Sequence, residues 1–308
     1  MSNLYYSLKD YYKKKFGGKI YKITLDAGFT CPNRDGSKGY GGCIYCDAKG
    51  SGNGASLKKL SLKEQIIKGK EFLRKRYKAE KFFLYFQAFT NTYGSPAYLK
   101  KVYDEAIQYG GDDIVGIIIG TRPDCIDIEK LELISSYTKR YEVWIEYGLQ
   151  SIHQKSLDFI NRCHTLDDYI DAVELTKKFP IKITTHIILG LPVENREEML
   201  ETVKFIANFN KIDAIKIHSL YIPKDSRLAY IYKKEKFSLF NEEEYVKLLA
   251  DAIEILPPDL IIARLTGETS KENLVAPLWV LNKQKVINDL IAELKKRDSF
   301  QGKFYEKK

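Results

Sequence analysis

The feature that most constrains this chain is an alternation of short β-rich runs with longer helical stretches, repeated from about residue 20 to residue 266. Seven runs read as strands: KITLDA (22–27), KFFLYFQ (81–87), DIVGIIIGT (113–121), EVWIEYG (142–148), IKITTHIILG (181–190), AIKIHSLYI (214–222) and LIIARLT (260–266). IVGIII and IIL are apolar without a period of two, as in strands covered on both faces. Between the runs, 61–77, 95–110, 165–179, 195–209 and 241–256 carry apolar residues at helical spacing. Ser61 with Glu64 three residues on reads as a capping box, and Ser95-Pro96 opens a helix that stops at Gly110. Such alternation builds parallel sheets from βαβ units. Six or seven units predict a full or partial (β/α) barrel, with a doubly wound open sheet as the alternative. In either, ligands gather at the C-terminal ends of the strands.

A length of 308 residues suits one large domain with appendages. The expected divisions are a basic helical extension over 1–20, the barrel over 21–268 and a lysine-rich helical extension over 269–308, with VINDLIAELKKRD as its amphipathic core. No run approaches ~20 apolar residues, so no membrane span is expected. MSNLYYSLKDYYKKKFGG lacks the apolar segment of a secretory signal. Five cysteines, three of them within sixteen residues, argue against a disulfide framework and for a reducing, cytoplasmic setting. Lys and Arg number 50 against 41 Asp and Glu, a formal charge of +9. That excess favours a polyanion such as RNA, and it equally fits a solvated lysine-rich surface.

The chemistry concentrates after the first strand, in CPNRDGSKGYGGCIYCDAKGSGNG. Cys31 is followed by eleven residues, Cys43, two more and Cys46. Gly36, Gly39, Gly41, Gly42 and Gly50 give a loop able to wrap closely around a ligand. Three thiolates can hold three irons of a cubane cluster and leave the fourth open. Zinc usually takes four protein ligands, and the loop offers no fourth Cys or His, although His153 or His164 could return in space. A redox C-x-x-C leaves Cys31 and the glycines without a role.

On these residues the chain resembles the radical S-adenosylmethionine (SAM) superfamily. The usual spacing there is C-x3-C-x2-C, and the longer CPNRDGSKGYGGCIYC loop resembles that of the YhcC/YtqA-like subfamily, relatives of the Elongator catalytic subunit. The resemblance runs to APLWVLNKQKVINDLIAELKKRDSFQG near the end. It implies a partial (β/α)6 TIM-like barrel with N- and C-terminal helical extensions, a [4Fe–4S] cluster on Cys31, Cys43 and Cys46, and SAM chelating the fourth iron through its methionine amine and carboxylate. Tyr45 matches an aromatic position near the adenine. Gln87, Thr90 and Asn91, in YFQAFTNTY, stand where relatives carry a Gly-Gly-Glu-type motif for the methionine amine. Thr121 and Arg122 end the third strand; Arg122 before a proline could equally be a turn residue. Glu146 and Gln150 match residues near the ribose and the methionine end, Arg162 one that pairs with the methionine carboxylate, and Gly190 a place where backbone meets adenine; Glu146 could also be a strand-end carboxylate paired with Lys, and Gln87 and Asn91 loop hydrogen bonders. A carboxylate accepts from ribose hydroxyls, and an Arg fork suits a carboxylate.

Cys125 and Cys163 read as small semi-buried side chains, too few for an auxiliary cluster. His186 and His218 lie within strands and read first as structural. Lys216 and His218 remain substrate-side candidates near the barrel mouth, and His153 and His164 are similarly open. Tyr5, Tyr6, Tyr11 and Tyr12 are interleaved with lysines, which suits either base stacking or, more simply, an amphipathic helix. The resemblance implies reductive cleavage of SAM to a 5′-deoxyadenosyl radical, with an electron donor of the flavodoxin or ferredoxin type. Kinship and charge together direct it to tRNA, at a wobble uridine side chain. A radical enzyme on a small metabolite and a non-enzymatic metal-binding module are the other readings.

Overall fold

The computed structural model describes residues 4–50, 52, 54–55 and 58–306. Its strands are β1 (Ile20–Leu25), β2 (Lys81–Phe86), β3 (Ile114–Thr121), β4 (Glu142–Gln150), β5 (Lys182–Leu189), β6 (Ala214–Ser219), β7 (Ile222–Pro223), β8 (Ile261–Arg264) and β9 (Leu274–Ala276). Seven are parallel and adjacent in chain order, β1-β2-β3-β4-β5-β6-β8. A doubly wound sheet would reverse its strand order at a switch point, and this one does not. The sheet curls into a partial barrel with seven strands rather than six. The run expected as one strand over 214–222 divides into β6 and β7, and β7 pairs antiparallel with β9 away from the main sheet.

The helices are set by their caps. Ser7 with Asp10, Ser61 with Glu64, Thr165 with Asp168, Asn195 with Glu198 and Asn241 with Glu244 all form reciprocal capping boxes. Each satisfies amide groups that the first helical turn leaves orphaned. Sequence periodicity did not disclose the helices Ile128–Ser136 and Arg227–Glu235. The outer face of the sheet is apolar: Ile117, Ile119, Val143, Ile145, Ile183, Ile187, Ile215 and Ile217 are buried in one core. Strand residues alternate between faces, so in β4 it is Glu142, Trp144, Glu146, Gly148 and Gln150 that face the lumen.

β1 and β8 are the sheet's edges. The helix Leu8–Phe16 packs against both, and Ile262 N–H donates to Tyr6 O at 2.8 Å just before it. Tyr12 is buried and stacks on Phe83 with ring centroids 5.2 Å apart. Tyr11 meets the edge of Trp144 and donates to Glu142 at 2.9 Å. These two tyrosines are therefore the plug of the lumen, as an amphipathic helix requires. Among the described residues no helix is long and apolar enough to cross a membrane.

Candidate active site at the open end of the barrel

The loop between β1 and the helix Leu62–Tyr77 carries the three cysteines over the C-terminal ends of the strands. Backbone and side-chain contacts hold it against the segment that follows β4. Ile44 N–H donates to Ile160 O at 3.0 Å, Asn161 Nδ2 donates to Gly42 O at 2.8 Å, and Asn33 Nδ2 returns a 2.5 Å bond to Asn161 O. Arg34 Nη2 closes the loop on Asp47 O at 2.5 Å. Cys31, Cys43 and Cys46 all line one open cavity, together with Tyr45, Gln87, Thr90, Thr121, Arg122, Glu146, Gln150, Arg162, Lys216 and His218. Asn91 and Gly190 do not line it. Asn91 Nδ2 is spent on Phe86 O and Gly120 O, and the Cα of Gly190 faces the Phe240 ring. Those two expected cofactor contacts therefore fall away from the cavity.

Arg162 is buried beside Cys43, its Nη1 3.5 Å from Sγ. Its Nη2 donates to Gly148 O at 2.9 Å and its Nε to His164 Nε2 at 2.9 Å, so all three of its nitrogens have partners within the protein. Burial raises the Cys43 thiol, but Arg162, with Arg122 and a Tyr45 hydrogen bond, outweighs burial and leaves it below its ordinary value. A Cβ at Gly148 would lie 2.6 Å from both Arg162 Nη2 and Gln150 Nε2, so only glycine lets these two side chains converge. Gln150 itself sits at φ +75° on the strand end. His164, buried next to Arg162, is pushed down to about 3 by burial and that charge.

Arg122 does not face the cavity as an open fork. It grips Asp124 bidentately at 2.9 and 2.8 Å and donates to the carbonyls of Arg162 and Cys163. Burial opposes ionisation of Asp124, yet Arg122 and Lys38 hold it down at about 2. Lys38 belongs to the cysteine loop, so this pair is a second staple on it. Burial pushes the neighbouring Cys125 thiol up to about 12. Cys163 is exposed rather than semi-buried, at φ +55°.

One step down the strands, Glu146 organises the cavity floor. Its Oε2 accepts from Tyr85 Oη at 2.7 Å, Lys216 Nζ at 2.5 Å and His186 Nε2 at 3.0 Å, and Lys22 Nζ stands 3.7 Å from Oε1. Burial would raise this carboxylic acid; Lys216 and Lys22 prevail and keep it well below the carboxylate range. His186 is pushed down to about 4 by burial and Lys216, so it is neutral and donates from Nε2. The His186 ring stacks on His218, whose Nε2 is buried without a partner among the described residues. Arg264 reaches the same floor and pairs with Glu268 at 3.0 Å. Lys22, Tyr85, Arg264, Gly148, Asn33 and Asn161 are absent from the sequence-derived set. A charged residue inside an apolar strand, as in KITL and IIAR, is the signal that marks Lys22 and Arg264 as lumen residues.

A parallel partial barrel with three cysteines crowning its open end defines a class of enzyme. Residues 31–206 match the Radical SAM superfamily and residues 212–296 match the Radical_SAM C-terminal domain. The chain belongs to the radical SAM superfamily, whose cofactors are a [4Fe–4S] cluster and S-adenosylmethionine. Within it, the chain groups with proteins of the YtqA and YhcC type. The uncharacterized protein YtqA of Bacillus subtilis is 37% identical over 98% of this chain and 93% of its own length. A tRNA uridine(34) acetyltransferase of Methanocaldococcus jannaschii is 29% identical over 46% of this chain and 26% of its own length. Elp3 of Methanocaldococcus infernus shares the fold, with a TM-score of 0.67 at 20% identity over 80% of this chain and 62% of that one. The donor set fits the cluster in its chemistry: three cysteines line one cavity, with a buried guanidinium that favours the thiolate at Cys43.

Proposed function

We propose that this chain is a radical SAM enzyme that modifies tRNA at the side chain of a wobble uridine. The observation that carries the radical chemistry is the convergence of Cys31, Cys43 and Cys46 on a cavity that the strand ends line with polar groups. Support for the RNA target comes from the partial match to a tRNA uridine(34) acetyltransferase and from the net charge of +9.

Cys31, Cys43 and Cys46 would hold three irons. When bound, the cluster and SAM supply a 5′-deoxyadenosyl radical that abstracts hydrogen from substrate. The chain's own residues bind, orient and exclude water. Tyr45 offers an aromatic face beside the cysteines. Thr90, whose buried Oγ1 has no partner among the described residues, and Gln150 offer polar atoms at the rim. Arg162 tunes Cys43 through its N–H and holds Gly148 close. Glu146 fixes Lys216, His186 and Tyr85 at the floor rather than accepting from a ribose, since its Oε2 is already shared among them. Lys216, Arg264 and His218 make that floor rich in donors, which complements the carbonyl oxygens of a uracil ring.

The test is a comparison of tRNA nucleosides from cells with and without the protein. One wobble-uridine derivative should be lost and its precursor should accumulate. Identical nucleoside profiles would remove the RNA target while leaving the radical chemistry to be judged separately.

A further inference from the structure

We propose that the outer face of the helix Arg227–Glu235, joined to Tyr40 of the cysteine loop, is the surface on which a single-stranded RNA loop docks. This rests on the tRNA reading and deepens it by placing the partner on named residues.

The helix and the cysteine loop are one surface. Leu228 N–H donates to Ile44 O at 2.8 Å, between Cys43 and Tyr45. The Arg227 guanidinium lies over Gly41, where an added Cβ would come 3.3 Å from Nη1. Asn161 Nδ2 reaches both Tyr40 O and Gly42 O, which fixes Tyr40 at this border. Leu228 is buried and anchors the inner face of the helix, and Ser226 caps its start. Helical spacing then puts Arg227, Tyr230 and Lys234 on one side, with Lys233 adjacent. All four are exposed.

Two properties set this face apart from an ordinary solvated helix. The first is aromatic exposure: Tyr40 is 78% exposed and Tyr230 72%, beside a cavity whose other aromatic groups are sheltered. The second is unneutralised charge. Over residues 224–236, Lys224, Arg227, Lys233, Lys234 and Lys236 face only Asp225 and Glu235, and among the described residues none of these cations takes an ion-pair partner. Some surface cations elsewhere are neutralised, as where Lys285 pairs with Glu242 and Asp289, and others are open as well, so it is the combination of open charge with Tyr40 and Tyr230 beside the cysteine loop that marks this face. Unpaired cations interleaved with open aromatic rings suit a phosphate backbone with splayed bases. A continuous duplex hides its bases from such rings, so a loop is the matching form of RNA.

The test uses the full, cluster-loaded chain and a fluorescent anticodon-type RNA hairpin, with a blunt RNA duplex of equal length for comparison. Wild type should bind the hairpin more tightly than the duplex. Tyr40→Ala with Tyr230→Ala should weaken hairpin binding by about tenfold or more, since each stacked base contributes appreciably. Arg227→Ala, Lys233→Ala and Lys234→Ala together should weaken it and flatten the salt slope by roughly 0.7 per lost phosphate contact. The control Lys75→Ala, Lys78→Ala and Lys81→Ala, on exposed lysines of another face, should leave affinity within about twofold. Iron content and 5′-deoxyadenosine formed without RNA should be unchanged in every variant. Tight hairpin binding by both surface variants would overturn this surface and leave the tRNA reading standing. Failure of wild type to bind any RNA at low salt would overturn both.

Discussion

The closed and open ends of the lumen are built by the same strands and have opposite chemistry. At the closed end the inward side chains are Phe83, Trp144, Ile118, Ala214 and Ile261, and the N-terminal helix adds Tyr12. Glu142 there accepts from Tyr11 and Trp144 and pairs with Lys15. At the open end, Thr90 Oγ1 and His218 Nε2, both on residues lining the cavity, are buried without a partner among the described residues. Each such atom costs about 1–3 kcal/mol, which folding alone gives no reason to retain. Between the two ends lies the Glu146 cluster, charged and ion-paired within itself. A step of two residues along one strand thus takes the lumen from packing, through an ion-paired layer, to a surface that is incomplete without a ligand.

Substitutions that separate the ends sharpen the contrast. The largest expected effect is at the rim. Cys43→Ala should reduce iron retention and 5′-deoxyadenosine formation to background, while the far-ultraviolet circular dichroism stays that of wild type. At the plug, Tyr12→Ala should lower unfolding stability by about 3–5 kcal/mol through the cavity it leaves, with 5′-deoxyadenosine per bound cluster unchanged. Equal loss of turnover per cluster would break the separation of the two ends. In the middle layer, Lys216→Met should cost about 3 kcal/mol, because it removes the closest cation from buried Glu146. Adding Glu146→Gln should recover part of that loss in denaturant titration, which an independent pair of sites would not do.

Acid titration gives a smaller, graded effect in the same layer. His186 is near 4 in the folded chain and about 6.5 when unfolded, so the unfolded state binds the extra proton between those values. Its contribution is therefore present above about pH 6.5 and is lost as pH falls toward 4, on the order of 3 kcal/mol at most. Glu146, also depressed, adds a further loss below about pH 4.5. His186→Gln should flatten the stability profile between pH 6.5 and 4, and an unchanged slope would show that His186 is not held neutral. Smallest of all, Tyr11→Phe should cost about 1 kcal/mol, since Glu142 keeps Trp144 and Lys15.

Much of this architecture was legible in the sequence because non-alternating apolar runs separated by helical stretches indicate parallel strands. All seven strands of the main sheet appear within a few residues of their predicted bounds, as in KFFLYFQ against Lys81–Phe86. The split of 214–222 into β6 and β7 was hidden, because Leu220 and Tyr221 interrupt the strand without a Gly or Pro to mark the break. Spacing and resemblance also pointed to the cysteines and to most of the polar strand-end residues that line the cavity. What could not be read is how side chains use each other. Arg122 in GTRPD reads either as a site residue or as a turn residue, and only the fold shows it clasped to Asp124. Glu146 reads either as a ribose acceptor or as a strand-end carboxylate paired with Lys, and β1, β5 and β6 bring Lys22, His186 and Lys216 around it. The Asn33–Asn161 clasp joins positions 128 residues apart, a pairing that no local pattern encodes.

The central claim is that the rim of this barrel performs radical SAM chemistry. It is tested most directly by anaerobic reconstitution with iron and sulfide, reduction with dithionite, addition of SAM and quantification of 5′-deoxyadenosine. Wild type should form it in proportion to cluster content, and the Cys31, Cys43 and Cys46 variants should form none. A fully loaded, reduced cluster that yields no 5′-deoxyadenosine would contradict the claim.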